Sequence, residues 1–595
     1  MDTKFSILDG KGLYYSFLAG AQKVFENQHQ LNKINVFPVA DADTGTNFAS
    51  TMRSIIDMVE PVDDLKTTAE SLANAALVGA RGNSGIIFAQ FLYGFSNEID
   101  VNGPLTASRF ASIVKESVKY AYQAITNPVE GTMITVIREW ADYMYQLKDT
   151  FDDFNLLMTH SLEKARESLE QTRMKLQALA KANVVDAGAK AFVLFLEGII
   201  EFFRTGLKML LGSRKASKVE DLSAITHDEI TFRYCTEALI SGESIDHNKI
   251  RKEIAFMGDS LVVAGSPSKT RIHIHTDKPS SVFYRLFNHG QITYQKIDDM
   301  VFQNAVASSA RPRVAILTDS TCDIPRVLLA TYHIHVVPLN VHFGPNYFLD
   351  GLSISGKQFR KLFFSSKIYP STSQPGYQDF VNRYAYLHTQ YDSVISIHIS
   401  SAMSGTWSNS AKAAEKIAAE NNKPITVFDS AKLSASLGLI VLRAAMEAAA
   451  GASHEEILEN LEKWKHKTHM YVTSTTVKYM VKSGRLSPTK GFIANLLKIK
   501  PVITVNTDGR SEKCGKAFTE GGTAKLVLEK LKKIIDKEKV WNYAITHFNN
   551  IGMANWYASE IEKLTGTPPV ILTEISPVLG INAGPGVVAV NILME

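Results

Sequence analysis

Cysteine is scarce. The three present, Cys235, Cys322 and Cys514, are too few in 595 residues for a disulfide framework, which excludes a small stapled extracellular fold and agrees with a reducing, cytoplasmic setting. Charge of one sign is not in excess either. The 64 Lys and Arg against 60 Asp and Glu leave a formal +4, no warrant for a nucleic-acid partner, which would need basic residues gathered on one face. Apolar runs long enough to cross a bilayer are missing. The longest candidate, "AFVLFLEGIIEFF", is interrupted by Glu197 and Glu201 and falls short of the roughly 20 residues a transmembrane helix needs. The start, "MDTKFSILDGKG", lacks a basic stretch followed by an apolar core and does not read as a signal peptide. No internal repeat or low-complexity tract stands out. What remains, 45% apolar and 21% charged residues, is the composition of soluble globular domains, and the length calls for two to four of them.

Up to about residue 205 apolar residues recur at helical spacing. In "RFASIVKESVKYAYQAI", Phe110, Ile113, Val114, Val118, Ala121 and Ile125 fall on one stripe. This predicts a helical domain over 1–205. A polar Gly, Ser and charge mixture follows, and then short alternating runs such as "SLVVAG" and "TRIHIHTD" predict a small mixed α/β domain over 206–310, with "FQNAVASSARPR" as its junction to the next. From 311 to 595, buried-type strands end in polar turns and feed helices, as in "RVAILTDST", "SVISIHISS" and "PITVFDS". That alternation predicts a parallel or mixed sheet covered by helices, with ligands at the carboxyl ends of its strands.

Four segments of the helical part carry chemistry. "NVFPVADADTGTN" brings Asn35, Asp41, Asp43 and Asn47, hard oxygen donors suited to Mg²⁺, next to Thr44, Gly45 and Thr46, whose amides and hydroxyls suit phosphate; the same residues would equally make a helix cap. "GARGNSG" places Gly82, Asn83, Ser84 and Gly85 where a backbone can approach a nucleotide, or only turn between helices. "NPVEGTMITV" contains Thr132 and "NVVDAGAKA" contains Asp186, each also readable as a helix start. In order, these four segments resemble the DhaL-type kinase domain, the ATP-binding unit of dihydroxyacetone kinases, and more closely the kinase component of bacterial fatty-acid kinase. The resemblance implies an eight-helix barrel with aspartates at one mouth. Asp41, Asp43 and Asn35 would hold Mg²⁺, and Thr44, Gly45, Thr46, Asn47, the Gly82 to Gly85 loop, Thr132 and Asp186 would lie at the nucleotide. The family's "PVPDGDTG" reads "PVADADTG" here, with Ala42 between the carboxylates.

In the middle part, Cys235 and the two imidazoles of "HIH", His273 and His275, form a donor set that suits Zn²⁺, unless they are a buried thiol and two ordinary strand histidines. "YCTE", "GDSL" and "HIHT" resemble the middle domain of the same kinase component, which implies a structural or regulatory zinc on these three residues; His227 is one candidate for a fourth ligand.

The C-terminal turns "TDSTCDIP", "STSQPG", "SSAMSGTWSNS" and "VKSGRLSPTKG" are rich in hydroxyls that can receive an anion or cap a helix. Ser404 lacks the preceding glycine of a nucleophile elbow and no triad is apparent, so hydrolase chemistry is disfavoured. Together with "IKPVITVNTDG" and "GPGVVAV" these turns resemble the DegV family, the fatty-acid-binding component of the same system. The resemblance implies a two-subdomain α/β fold with an acyl chain in an apolar tunnel. Thr372, Ser404 and Gly405 would hold the head group, with Arg485 near it. The family's "HTGPG" reads "NAGPG", so Asn582 and Ala583 stand where His and Thr are usual.

The whole chain thus reads as a fusion that uses ATP and Mg²⁺ to phosphorylate a fatty acid to an acyl phosphate for phospholipid synthesis. The resemblance implies a downstream acyltransferase partner and transient contact with a membrane surface, and leaves open docking within one chain or across a homodimer. A glycerone-type kinase of a small hydroxyketone and a non-catalytic lipid sensor or carrier are the competing readings.

Overall fold

Short polar residues mark the places in the first two hundred positions where apolar periodicity restarts. Asp9, Asp64, Thr106, Asp153 and Asp186 each accept a first-turn amide of the helices Gly10–Glu26, Leu65–Gly79, Ala107–Ala124, Phe154–Lys175 and Ala187–Thr205. Such caps satisfy amides that a helix leaves unpaired, at about 1 kcal/mol each. The computed structural model describes residues 5–37, 43–100, 105–206, 230–308, 311–421, 423–476, 478–483 and 500–595. They form two units, 1–304 and 305–595.

In the first unit the predicted stripe lies on Ala107–Ala124, where Ile113, Val114, Val118 and Ala121 are buried. Helix packing runs in a circuit: Gly10–Glu26 packs on Ala187–Thr205, then Phe154–Lys175, Met133–Gln146, Ala107–Ala124, Gly82–Glu98 and Leu65–Gly79, which packs back on Gly10–Glu26. Thr44–Met58 packs against four of these helices, Leu65–Gly79, Gly82–Glu98, Gly10–Glu26 and Ala187–Thr205. Phe48, Phe192 and Phe195 meet Phe88 with ring centroids 5.1 to 6.4 Å apart. Burying each such ring contributes roughly 1.5–3 kcal/mol. The only strands among the described residues of this part are Ile7–Leu8 and Leu105–Thr106.

The middle sheet is antiparallel, in the order Gly258–Ser266, Lys269–Thr276, Tyr234–Ser241, Gln291–Asp299. Ile250, Ile254, Val282, Phe283 and Leu286 of the helices His247–Ile254 and Pro279–Leu286 are buried. Cys235 faces His275 and Glu237 faces His273 in the register, so the period of two sets all four on one face. A helix, Met300–Ser308, runs through part of the stretch read as a junction.

The second unit contains a parallel sheet in the order Ile425–Asp429, Ser393–His398, Val314–Asp319, His335–Val337. Its other large sheet has six strands, Ser511–Ala517, Lys500–Val505, Thr468–Thr473, Val588–Met594, Val540–His547 and Ile571–Glu574, antiparallel except for the last pair. The strand-to-helix alternation of the sequence is therefore realised as a fully parallel sheet in the first of the two and as a mixed sheet in the second, where the helix Ile551–Thr565 joins the one parallel pair. No described helix is long and apolar enough to cross a membrane.

Candidate functional site

Four helix N-termini converge in the first unit. Gly82, the first residue of Gly82–Glu98, has φ +60°, a conformation that costs a glycine little, and a Cβ there would lie 2.9 Å from Asn47 Nδ2 in the first turn of Thr44–Met58. Gly188, in the first turn of Ala187–Thr205, touches Ser84: a Cβ on it would lie 2.2 Å from Ser84 Oγ. Asp186 accepts from the amides of Ala189 and Met133, the latter opening Met133–Gln146 behind its N-cap Thr132. Helix N-termini carry partial positive charge and unpaired amides, and together they favour an anion. Burial lifts the Asp186 carboxyl to about 6, against the two amide hydrogen bonds that lower it.

Asn47, Gly82, Asn83, Ser84, Gly85, Thr132 and Asp186 therefore lie at these converging ends. The helix at Gly82 begins inside the glycine-rich stretch read as a loop. Asp43 takes the N-cap position of Thr44–Met58 but its side chain makes no capping hydrogen bond. The cap, one of the two roles open to this residue, is thus not the one its carboxylate plays. Asn35 is buried. Thr44 opens the helix, whereas Gly45 and Thr46 turn to the helix Gln28–Lys33: a Gly45 Cβ would lie 2.3 Å from the Gln28 carbonyl, and Thr46 Oγ1 accepts from Gln28 Nε2 at 3.1 Å and Asn32 Nδ2 at 2.9 Å. Asp41 lies outside the described residues, as do His227 and Arg485.

On the middle sheet, one ligand atom each of Cys235, His273 and His275 lies within 4.8 Å of the other two, and all three residues are buried. His273 Nε2 is buried with no hydrogen-bond partner among the described residues. The other ring nitrogen, Nδ1, lies 3.9 Å from Cys235 Sγ, and a buried thiol with two imidazoles gathered on one strand face fits a Zn²⁺ ion. Burial pushes the Cys235 thiol well up, with Glu237 adding to it, and pushes the His273 imidazole down. Cys235 would hold such a cation as the thiolate and His273 as the neutral imidazole.

In the second unit, Thr372, Ser404, Gly405, Asn582 and Ala583 line one cavity of about 670 Å³. Its lining combines polar residues such as Thr372, Ser373, Gln374, Ser401 and Ser404 with apolar side chains such as Met403, Met470 and Val472. No described lining residue is charged. Ser404 Oγ and Thr406 Oγ1 share a 2.8 Å hydrogen bond, and a Gly405 Cβ would lie 2.4 Å from the Gln374 amide. Asn582 Nδ2 donates to the Val578 carbonyl at 2.8 Å, so its amide is turned onto its own helix, Pro577–Ala583. Gly584 then has φ +80° with its α-carbon against the Tyr479 ring, which accounts for the first glycine of "GPG".

Two groups escaped the sequence. Asp319, His398, Ser396 and Ser410 form an acid, imidazole and hydroxyl chain with contacts of 3.0, 2.7 and 2.9 Å. All are fully buried, so the constellation has no access to a substrate and acts as a brace. Asp319 also accepts the Ile399 amide at 2.9 Å, at the start of the loop that carries Ser401 and Ser404. The second is Glu237, whose only sequence signal was its place two residues from Cys235, on the same strand face.

Three families account for this division of structure. A DAK2 domain model matches residues 38–201, a FakA-like (fatty acid kinase) middle domain model residues 231–306, and a DegV family model (uncharacterised protein, DegV family) residues 313–595. Protein YloV of Bacillus subtilis is 33% identical over 325 residues, 51% of this chain and 58% of that protein. An uncharacterized protein of Staphylococcus saprophyticus is 33% identical over 341 residues, 55% of this chain and 61% of that protein. The chain thus spans about 60% of the length of these relatives. Among solved structures, a fatty-acid-binding DegV family protein from Thermus thermophilus is 27% identical, with 48% of this chain and 100% of that chain covered and a TM-score of 0.44. DegV, a fatty acid binding protein from Bacillus subtilis, is 28% identical with the same coverage and TM-score. The chain joins a DhaL-like DAK2 domain, a FakA-like middle domain and a DegV domain, and so fits a fusion of a fatty-acid kinase component with a DegV-family protein.

Proposed function

We propose that this protein transfers the γ-phosphoryl group of ATP to a fatty acid bound in the DegV unit, giving an acyl phosphate. The observation that carries the reading is the convergence of four helix N-termini beside Asp43, in a chain that also contains a largely apolar cavity whose described lining includes several hydroxyls and no charged side chain. A small hydroxyketone would leave that cavity without a purpose.

Asp41 and Asp43, with Asn35, would hold Mg²⁺, which supplies the positive charge that offsets repulsion between the nucleotide phosphates and an incoming carboxylate. The amides at Asn83 and Ser84 would orient the phosphates. Thr372 and Ser404 would hold the fatty-acid carboxylate, already ionised at neutral pH, so no general base is required. A carboxylate oxygen forms the new bond to phosphorus while the bridging oxygen leaves with ADP, keeping the electron pair of the broken bond. Covalent linkage of carrier and kinase would raise their mutual concentration to ~mM where the geometry permits docking. Cys235, His273 and His275 would hold a structural zinc.

Mg²⁺-dependent ATP consumption on adding fatty acid, with the product trapped as a hydroxamate, tests the reaction. Asp43→Ala should lower the rate by about 100-fold or more, on the order of 3 kcal/mol of lost phosphate positioning. Undiminished turnover in this variant would remove the metal assignment, and absence of any hydroxamate in the wild type would remove the acceptor.

A further inference from the structure

Glu237 is the point at which the middle sheet grips the converging helix ends. It is fully buried, and its two oxygens are divided between two elements. Oε1 accepts the backbone amide of Gly82 at 2.6 Å, and Oε2 accepts from Arg271 Nη2 at 2.7 Å. The carboxylate is thus paired with the Arg271 guanidinium, and His273 Nδ1 lies 3.6 Å from its Oε1. Arg81, at the N-cap of Gly82–Glu98, makes no side-chain capping hydrogen bond. The first amide of this helix is thus satisfied by an anion from another domain, and the amide belongs to the residue whose left-handed φ sets the entry of the helix.

A buried ion pair adds little net stability, because desolvation offsets its attraction. A cheaper fastening exists on the same helix: Gln90 Oε1 accepts the Gly265 amide of the same sheet at 2.6 Å, about two turns further on. Fastening alone does not require a charge at Gly82.

We propose that Glu237 is a positioning residue for the nucleotide: by holding the Gly82 amide it fixes the direction of the amides of Asn83 and Ser84, and thereby makes the middle domain part of the phosphate site. The inference rests on the nucleotide reading above.

The sign of one substitution separates positioning from simple electrostatics. Glu237→Gln leaves Arg271 without its counter-charge, so through charge alone it would tighten the binding of a polyanion. Positioning requires the opposite. In the full chain, calorimetric titration with MgATP should give a Kd raised about tenfold for Glu237→Gln. Gln90→Met, which removes the other hydrogen bond between the same sheet and helix, should stay within about twofold, and retention of fatty acid by the second unit should be unchanged in both. Equal weakening in the two variants would make Glu237 a mere fastener, and unchanged or tighter binding in Glu237→Gln would overturn the proposal outright. Should Glu237→Gln not fold, hydrogen exchange of the wild type reads the same contact: the Gly82 amide should exchange slowly before nucleotide is added, and fast exchange there sinks the idea. A wild-type chain that binds no MgATP would instead remove the nucleotide reading itself.

Discussion

The two candidate sites are made of opposite materials. The mouth of the helical domain gathers helix ends, the Asp43 and Asp186 carboxylates and the buried Glu237–Arg271 pair. The cavity of the second unit has hydroxyls, amides and thioethers, with no charged side chain in its described lining. The contrast follows from what each would hold. A nucleoside triphosphate carries several negative charges, which helix N-termini would oppose directly and the Asp43 carboxylate only through Mg²⁺, whereas one carboxylate on a long apolar chain needs a dry wall and two or three donors.

Three experiments press on that difference, beginning with the largest expected effect. Cys235→Ser should abolish zinc binding by the purified chain, read as metal per chain by elemental analysis, and should lower the melting temperature of the first unit by several degrees, because metal binding free energy is folding free energy at such sites. The second unit should retain its fatty acid in the same variant. A wild-type chain free of zinc after metal-replete expression would return the trio to the status of buried strand residues.

Next, Ser404→Ala with Thr372→Val should weaken fatty-acid retention by roughly tenfold, the loss of one or two hydrogen bonds to a charged group, and leave MgATP affinity unaltered. A shift in nucleotide affinity would show that the two chemistries are not separable.

The smallest effect is in pH. In the second unit, Asp323 accepts from Ser434 and the Ser576 amide, and Asp350 from Ser320 and the Val578 amide; together they anchor the start of Pro577–Ala583. Burial lifts both to about 7, above the roughly 6 of Asp186 in the first unit. Each folded-state pKa is raised, so the native protein keeps protons the unfolded chain has lost from about pH 4 upward, and stability falls as pH rises towards the folded value. Between pH 6 and 7.5 the second unit should therefore lose about 1–2 kcal/mol while the Asp186 contribution is nearly exhausted. Scanning calorimetry across that range should show the second transition moving down, and Asp323→Asn should remove about half of that movement, the rest belonging to Asp350.

Much of this was legible in the residues. Periodicity located the helix Ala107–Ala124, and the alternation of "TRIHIHTD" put His273 and His275 on one face because a strand has no other choice. "STSQPG", "MSGT" and "NAGPG" converge on one cavity although they lie up to about two hundred positions apart. What could not be read was direction. Thr46 sits in a phosphate-type motif, yet its hydroxyl is taken by Gln28 and Asn32, and Asn582 replaces an imidazole only to fold back on Val578. Such choices depend on which donor lies nearest in space, and no local pattern records that. Glu237 was silent for the same reason, since its partners lie 155 and 34 positions away.

The buried chain from Asp319 through His398 to Ser396, Ser410 and Tyr384 has a consequence for the loop beside it. Both imidazole nitrogens are engaged, and the Tyr384 hydroxyl meets Ser396 at 2.9 Å and Ser410 at 2.5 Å, so no member can rotate its proton without breaking a neighbour's contact. Disorder among several hydroxyl rotors is thereby spent during folding. A ligand head group meeting the hydroxyl of Ser404 would find a loop whose foundation is already in one arrangement, and that part of the entropy of recognition would be settled before it enters.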